Sequence, residues 1–131
     1  MRRFNRLIHE FNFIKCAEFH LNGERINYTL EEDIKGVTLF AIVVQKNDDH
    51  FVRYVGRSSY GLRSCLDRIK TGSQAQETYY RLCQNILYCL QHYCNVSVYY
   101  FLIEGNDDRI ADQIIKQINE GDWCPDWNLR R

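Results

Sequence analysis

Gly36-Val37-Thr38-Leu39-Phe40-Ala41-Ile42-Val43-Val44 is followed, after the polar group Asn47-Asp48-Asp49, by Phe51-Val52-Arg53-Tyr54-Val55-Gly56-Arg57. The first run is apolar without alternation, which predicts a strand buried on both faces over Gly36–Val44. Asn47-Asp48-Asp49 supplies a turn, and Phe51–Gly56 returns antiparallel to the first run. Leu62, Leu66 and Ile69 then recur at helical spacing, and Gly72-Ser73 ends the helix they define.

Upstream of this hairpin, after a short helical lead, Phe13, Ala17, Phe19 and Leu21 share one side of an alternating stretch. Asn22-Gly23 reads as a tight turn and Glu24–Leu30 as the return strand, a front hairpin that completes a sheet or covers an edge. Downstream, Leu82, Ile86, Leu87, Leu90 and Tyr93 share one face of a long core helix, and Val96–Glu104 is strongly β-prone. Asp107 or Asp108 can cap a last helix whose apolar face is Ile110, Ile114, Ile115 and Ile118. The expected product is an α+β fold, a small mostly antiparallel sheet flanked by helices. It is expected as a single domain, residues 1–131, with 1–35 as an extension carrying the hairpin and 36–128 as the core.

A hydrophobic content of 45% with 14% aromatic residues predicts a folded chain with one core. Formal net charge is zero, which argues against coating nucleic acid through bulk charge. The charges are segregated, however. Arg53, Arg57, Arg63, Arg68, Lys70 and Arg81 face only Asp67 and Glu77 in one block. Glu104, Asp107, Asp108, Asp112, Glu120, Asp122 and Asp126 face Arg109 and Lys116 in another. Arginines for phosphates beside carboxylates for a cation suit a metal-assisted phosphodiesterase, although charge runs are more often solvated faces. No apolar run approaches a bilayer span, and Met1-Arg2-Arg3-Phe4-Asn5-Arg6 lacks an apolar signal core. An intracellular, cytoplasmic and reducing location is therefore expected, with the six cysteines free. Cys83, Cys89, His92 and Cys94 match no compact zinc spacing. Tyr79-Tyr80 and Tyr99-Tyr100 are the aromatic candidates for stacking on bases.

With Ile114-Ile115 and Pro125-Asp126-Trp127-Asn128 added, the order of parts from Gly36 to Asn128 resembles the GIY-YIG nuclease family. In that family a Gly-Ile-Tyr strand pairs with a Tyr-Ile-Gly strand, followed by an arginine helix, a glutamate helix and an asparagine. The resemblance implies DNA phosphodiester hydrolysis assisted by a divalent metal, Mg2+ or Mn2+. It assigns Tyr54 to orienting or activating the nucleophile and Asn128 to supporting the site, both within the catalytic set. Three positions depart from the pattern: Phe40 stands for the first tyrosine, Cys65 for the arginine and Ala111 for the metal glutamate. Arg68 or Arg63 are the candidate replacements for the arginine, and Asp112 or Asp108 for the glutamate. Arg53, Arg57, Arg63, Arg68 and Lys70 are the candidate contacts to DNA. Three readings stay open: an endonuclease with relocated groups, an inactive relative that binds nucleic acid, and a protein-binding or inhibitory scaffold.

Overall fold

The unbroken apolar run becomes the middle of the sheet. In a computed structural model, which describes residues 2–119 and 125–128, strand β3 (Thr38–Lys46) lies between β4 (Asp49–Ser58) and β5 (Asn95–Leu102). Strands β1 (Ile14–Asn22) and β2 (Arg25–Leu30) extend the sheet beyond β5, in the order β2-β1-β5-β3-β4, with every pairing antiparallel. The front hairpin thus completes the sheet.

β3 carries no polar face because both of its faces are covered. Phe40, Ile42 and Val44 join one core with residues of α2 (Leu62–Thr71) and α3 (Glu77–Gln91). Leu39, Ala41 and Val43 join a second core with Leu7 of α1 (Arg2–His9) and with Ala111 and Ile118 of α4 (Asp108–Asn119). Two helices therefore lie on each side of one sheet. Among the described residues, no helix is long and apolar enough to cross a membrane.

Several local expectations change. The central strand begins at Thr38, since Gly36 has φ +87 and cannot continue an extended run. Both hairpin turns are two-residue loops, Gly23-Glu24 and Asn47-Asp48, with Gly23 and Asn47 at positive φ. Phe13 belongs to the α1/α4 core, whereas Ala17 and Phe19 belong to the α2/α3 core. A bulge between Lys15 and Ala17 shifts the phase of β1, so the even spacing from Phe13 to Ala17 does not keep them together. Leu21 is exposed near the end of the hairpin. Tyr93 lies beyond the end of α3 with φ +64 and is exposed. In α4 the buried face is Ala111 and Ile118, with Ile114 and Ile115 partly buried, while Ile110 is exposed. Asp107 is the cap, accepting from the Arg109 N–H at 2.9 Å.

α2 stops at Gly72, which adopts φ 58 and ψ 43 and donates its N–H to the Arg68 carbonyl at 3.0 Å. A Cβ there would sit 2.7 Å from Cys83 Sγ, so glycine also permits α3 to approach. Gly72→Ala is expected to lower unfolding stability by more than about 1 kcal/mol in urea titration. The same change in a Cys83→Gly background should cost less, because the Sγ and the Cβ at 2.8 Å are both gone and only the backbone part remains.

Candidate nucleic-acid site

β4 is the edge strand, and the bulge opposite Arg53 between Ile42 and Val43 sets its phase against β3. Tyr54 and Gly56 consequently face the α2/α3 side, and Val55 faces the other. A Cβ on Gly56 would fall 2.6 Å from Tyr54 Cε2 and 2.7 Å from its hydroxyl oxygen. The Tyr54 ring therefore lies across Gly56, and the Tyr-x-Gly spacing is a packing requirement. Phe40 fills the adjoining space, with ring centroids 5.7 Å apart. It is fully buried and brings no hydroxyl. Burial pushes the Tyr54 hydroxyl up to about 12, with Cys65 and Tyr79 adding to the shift and Arg81 opposing it. At neutral pH Tyr54 is a hydrogen-bond donor rather than a base.

Tyr54, Gly56, Arg57, Thr78, Arg81 and Asp112 line one cleft of about 350 Å³. Arg57 Nη1 donates to Asp112 Oδ1 at 2.9 Å and lies 3.7 Å from Asp108 Oδ1, which also accepts from Ser59 Oγ at 3.3 Å. Both carboxylates proposed for a metal thus turn onto one guanidinium. A divalent cation between them would meet that positive charge, and Ala111, at the position of the metal glutamate, is buried in the α1/α4 core. Among the described residues no three His, Cys, Asp or Glu side chains converge as a metal cluster. The donor set does not fit Mg2+ or Mn2+ with Arg57 in place. The His92 ring nitrogen Nδ1 lies 2.8 Å from the Tyr88 carbonyl. Cys124, Glu120 and Asp122 lie outside the described residues.

Arg57 also borders a smaller hollow of about 140 Å³, shared with Ser64, Cys65, Arg68 and Tyr79. Arg68 therefore reaches the space beside Cys65, one turn along the helix. Cys65 itself is buried, and burial pushes its thiol up to about 12, against the opposing influence of Tyr79 and Arg68. It is a neutral packing group at physiological pH. Arg63 points elsewhere, 3.9 Å from Asp33, into a hollow it shares with Lys35 and Arg68. Lys70 and Arg53 line neither the cleft nor the hollow beside Cys65. Arg53 pairs with Asp126 and its guanidinium lies 4.8 Å from the Phe51 ring centroid.

Asn128 acts on the backbone. Its Oδ1 accepts from the Val55 N–H at 2.9 Å and its Nδ2 donates to the Val55 carbonyl at 2.8 Å, as a neighbouring strand would. The Trp127 N–H donates to the Arg53 carbonyl at 2.8 Å, so the C-terminal segment closes part of the open edge of β4. Arg81 is the site residue that the sequence reading left in a charge block. Its Nη1 donates to the Trp127 carbonyl at 3.3 Å, while its Nε and Nη2 are buried without a hydrogen-bond partner among the described residues. Unmade bonds of this kind cost about 1–3 kcal/mol and favour an anion that can accept them. Thr78 and Arg81, three residues apart on α3, present one face to the cleft, a spacing visible in the sequence.

No protein-family model matches the sequence, and no curated protein matches it. Among solved structures, a point mutant of bacteriophage T4 EndoII superposes with a TM-score of 0.71 at 22% identity, covering 97% of this chain and 99% of that one. The restriction endonuclease HPY188I in complex with product DNA gives a TM-score of 0.55 at 16% identity, covering 91% and 79% respectively. The chain has a GIY-YIG nuclease-like fold, an antiparallel five-stranded sheet with helices.

Two outcomes follow. Asn128→Ala should speed amide exchange at Val55 by roughly tenfold or more, the loss of about one hydrogen bond's worth of protection. Burial keeps the Cys65 thiol protonated at pH 8. Mass spectrometry after brief iodoacetamide treatment should find Cys16 and Cys65 unmodified, and the half-buried Cys83, Cys89 and Cys94 alkylated first.

Proposed function

We propose that this chain is a nucleic-acid-binding protein built on a nuclease scaffold, which grips the DNA phosphate backbone in the groove formed by Arg57, Arg68 and Arg81. The observation that carries this reading is that these three guanidiniums, from one strand and two helices, line two hollows that share Arg57 as a wall. Tyr54 and Tyr79 add hydroxyl donors beside them. The Arg57–Asp112 pair is partly exposed on both sides, so it is worth no more than about 1 kcal/mol. Phosphate, held by charge-assisted bonds and relieved of its counterions, can take Arg57 from Asp112. One of the similar solved structures is an endonuclease in complex with DNA, which agrees with a DNA ligand. Arg53, Arg63 and Lys70 supply charge farther from the groove.

Hydrolysis is not part of this reading. Phe40, Cys65 and Ala111 are buried packing groups at the positions the resemblance gives to a tyrosine, an arginine and a metal ligand. The competing reading, a metal-dependent endonuclease, draws support from Asp112 and Tyr54 lining one cleft. Both are tested together. Fluorescence anisotropy with labelled duplex DNA should show affinity falling with salt, with a log–log slope near −2 to −3 for about three phosphate contacts. Arg81→Ala should weaken binding by about tenfold. Supercoiled plasmid should stay intact with magnesium or manganese. Metal-dependent nicking abolished by both Tyr54→Phe and Asp112→Ala would establish the endonuclease instead. Salt-independent or undetectable DNA binding would leave a protein-binding scaffold.

A further inference from the structure

Tyr60 is 85% exposed, and the turn that carries it is hydrogen-bonded on both sides. On one side the buried Ser58 hydroxyl donates to the Gly61 carbonyl at 2.6 Å. On the other, the Leu62 N–H donates to the Ile34 carbonyl at 2.8 Å. Gly61 takes φ +101, and a Cβ there would press on the Ile34 carbonyl at 3.1 Å, so the turn lies flat on the preceding loop. An aromatic ring on loose chain would lose entropy when it bound anything; this one is presented on fixed backbone.

Its surroundings identify what it would meet. Tyr60 borders the small hollow beside Arg57 and Arg68, and on its other side a larger hollow of about 600 Å³ in which Lys35, Arg63 and Arg68 outnumber the carboxylates Asp33 and Asp67, with Arg63 3.9 Å from Asp33. A large ring with a bare face, flanked by cations on both sides, suits a planar base with phosphates before and after it. A base paired inside a duplex is stacked on both faces and meets a side chain only if a step is pried apart at about a few kcal/mol, so an unpaired base is the ligand that costs least. Resting on the groove reading above, we infer that Tyr60 and the hollow beside it form a stacking subsite for an unpaired nucleobase next to the phosphate gripped in the groove. The preferred ligand is then DNA with a bulged or unpaired base, rather than uniform duplex.

The test compares two DNAs of equal length, a perfect duplex and one with a single bulged 2-aminopurine, by anisotropy and by 2-aminopurine fluorescence. The wild type should bind the bulged DNA about tenfold tighter than the duplex and quench its fluorescence, within the range of one base–aromatic stack. In Tyr60→Ala the ratio should fall to about one and quenching should disappear, whereas Tyr60→Trp should keep both. A wild-type ratio of one, or a ratio that survives Tyr60→Ala, would overturn the subsite while leaving the groove intact. Binding to neither DNA would overturn the groove and the subsite together. Thermal melts of both variants separate these results from misfolding, and the exposure of Tyr60 predicts no change in them.

Discussion

The fold depends on β3 being buried on both faces. From Leu39 to Val44 each of its side chains is committed to one of two cores, alternately, so a slip of one residue would exchange the contents of both. β4 inherits that rigidity through its pairing with β3. Because β4 is the edge strand, its two faces open onto different helices. Tyr54 is delivered toward α2 and α3, while Arg57 reaches around to Asp108 and Asp112 on α4. One edge strand can therefore supply groups to a groove whose walls belong to both layers.

The segregated charges of the sequence meet in space. Arg57 is shared between two carboxylates of the acidic block, and Arg53 is held by Asp126. This pairing offsets part of the positive charge of the groove, in a chain of zero formal net charge. The pairs are partly exposed, which makes them weak and exchangeable. Arg81 differs, since its guanidinium is partly buried with donors unused. Within the groove it is the residue whose bonding is least complete.

Much of the fold is legible in the chain. An apolar run without alternation, two turn signals and helical spacing gave the strand pairing of the central hairpin, and Tyr54 and Gly56 both line the candidate cleft. What misled was phase. The bulge in β1 moved Phe13 and Ala17 to opposite cores, and the face of α4 turned toward Ala111 instead of Ile110. A bulge leaves no mark on a hydrophobic pattern except a broken period, which short strands cannot reveal. The site was harder still. Arg68 reaching the hollow beside Cys65 follows from helix spacing and side-chain length, but the capture of Asp108 and Asp112 by Arg57 links residues about fifty positions apart. Asn128 looked like a chemical group in the linear pattern. Its two bonds to Val55 give it a structural role that only the edge position of β4 reveals.

The burial of Ala111 bears on whether this scaffold could be turned into a metalloenzyme by design. Ala111 is fully buried in the core that also holds Leu7, Phe13, Val52 and Val55. A glutamate placed there would first have to bury its carboxyl in apolar surroundings, at a cost of several kcal/mol if ionised, before it could bind any cation. A single restored ligand would therefore be protonated or would pry α4 from the sheet. A carboxylate at this position would reach the cleft only if the α1/α4 layer were reshaped so that α4 turned it outward, which makes the packing of that helix, rather than the chemistry of the one residue, the obstacle to a metal ligand here.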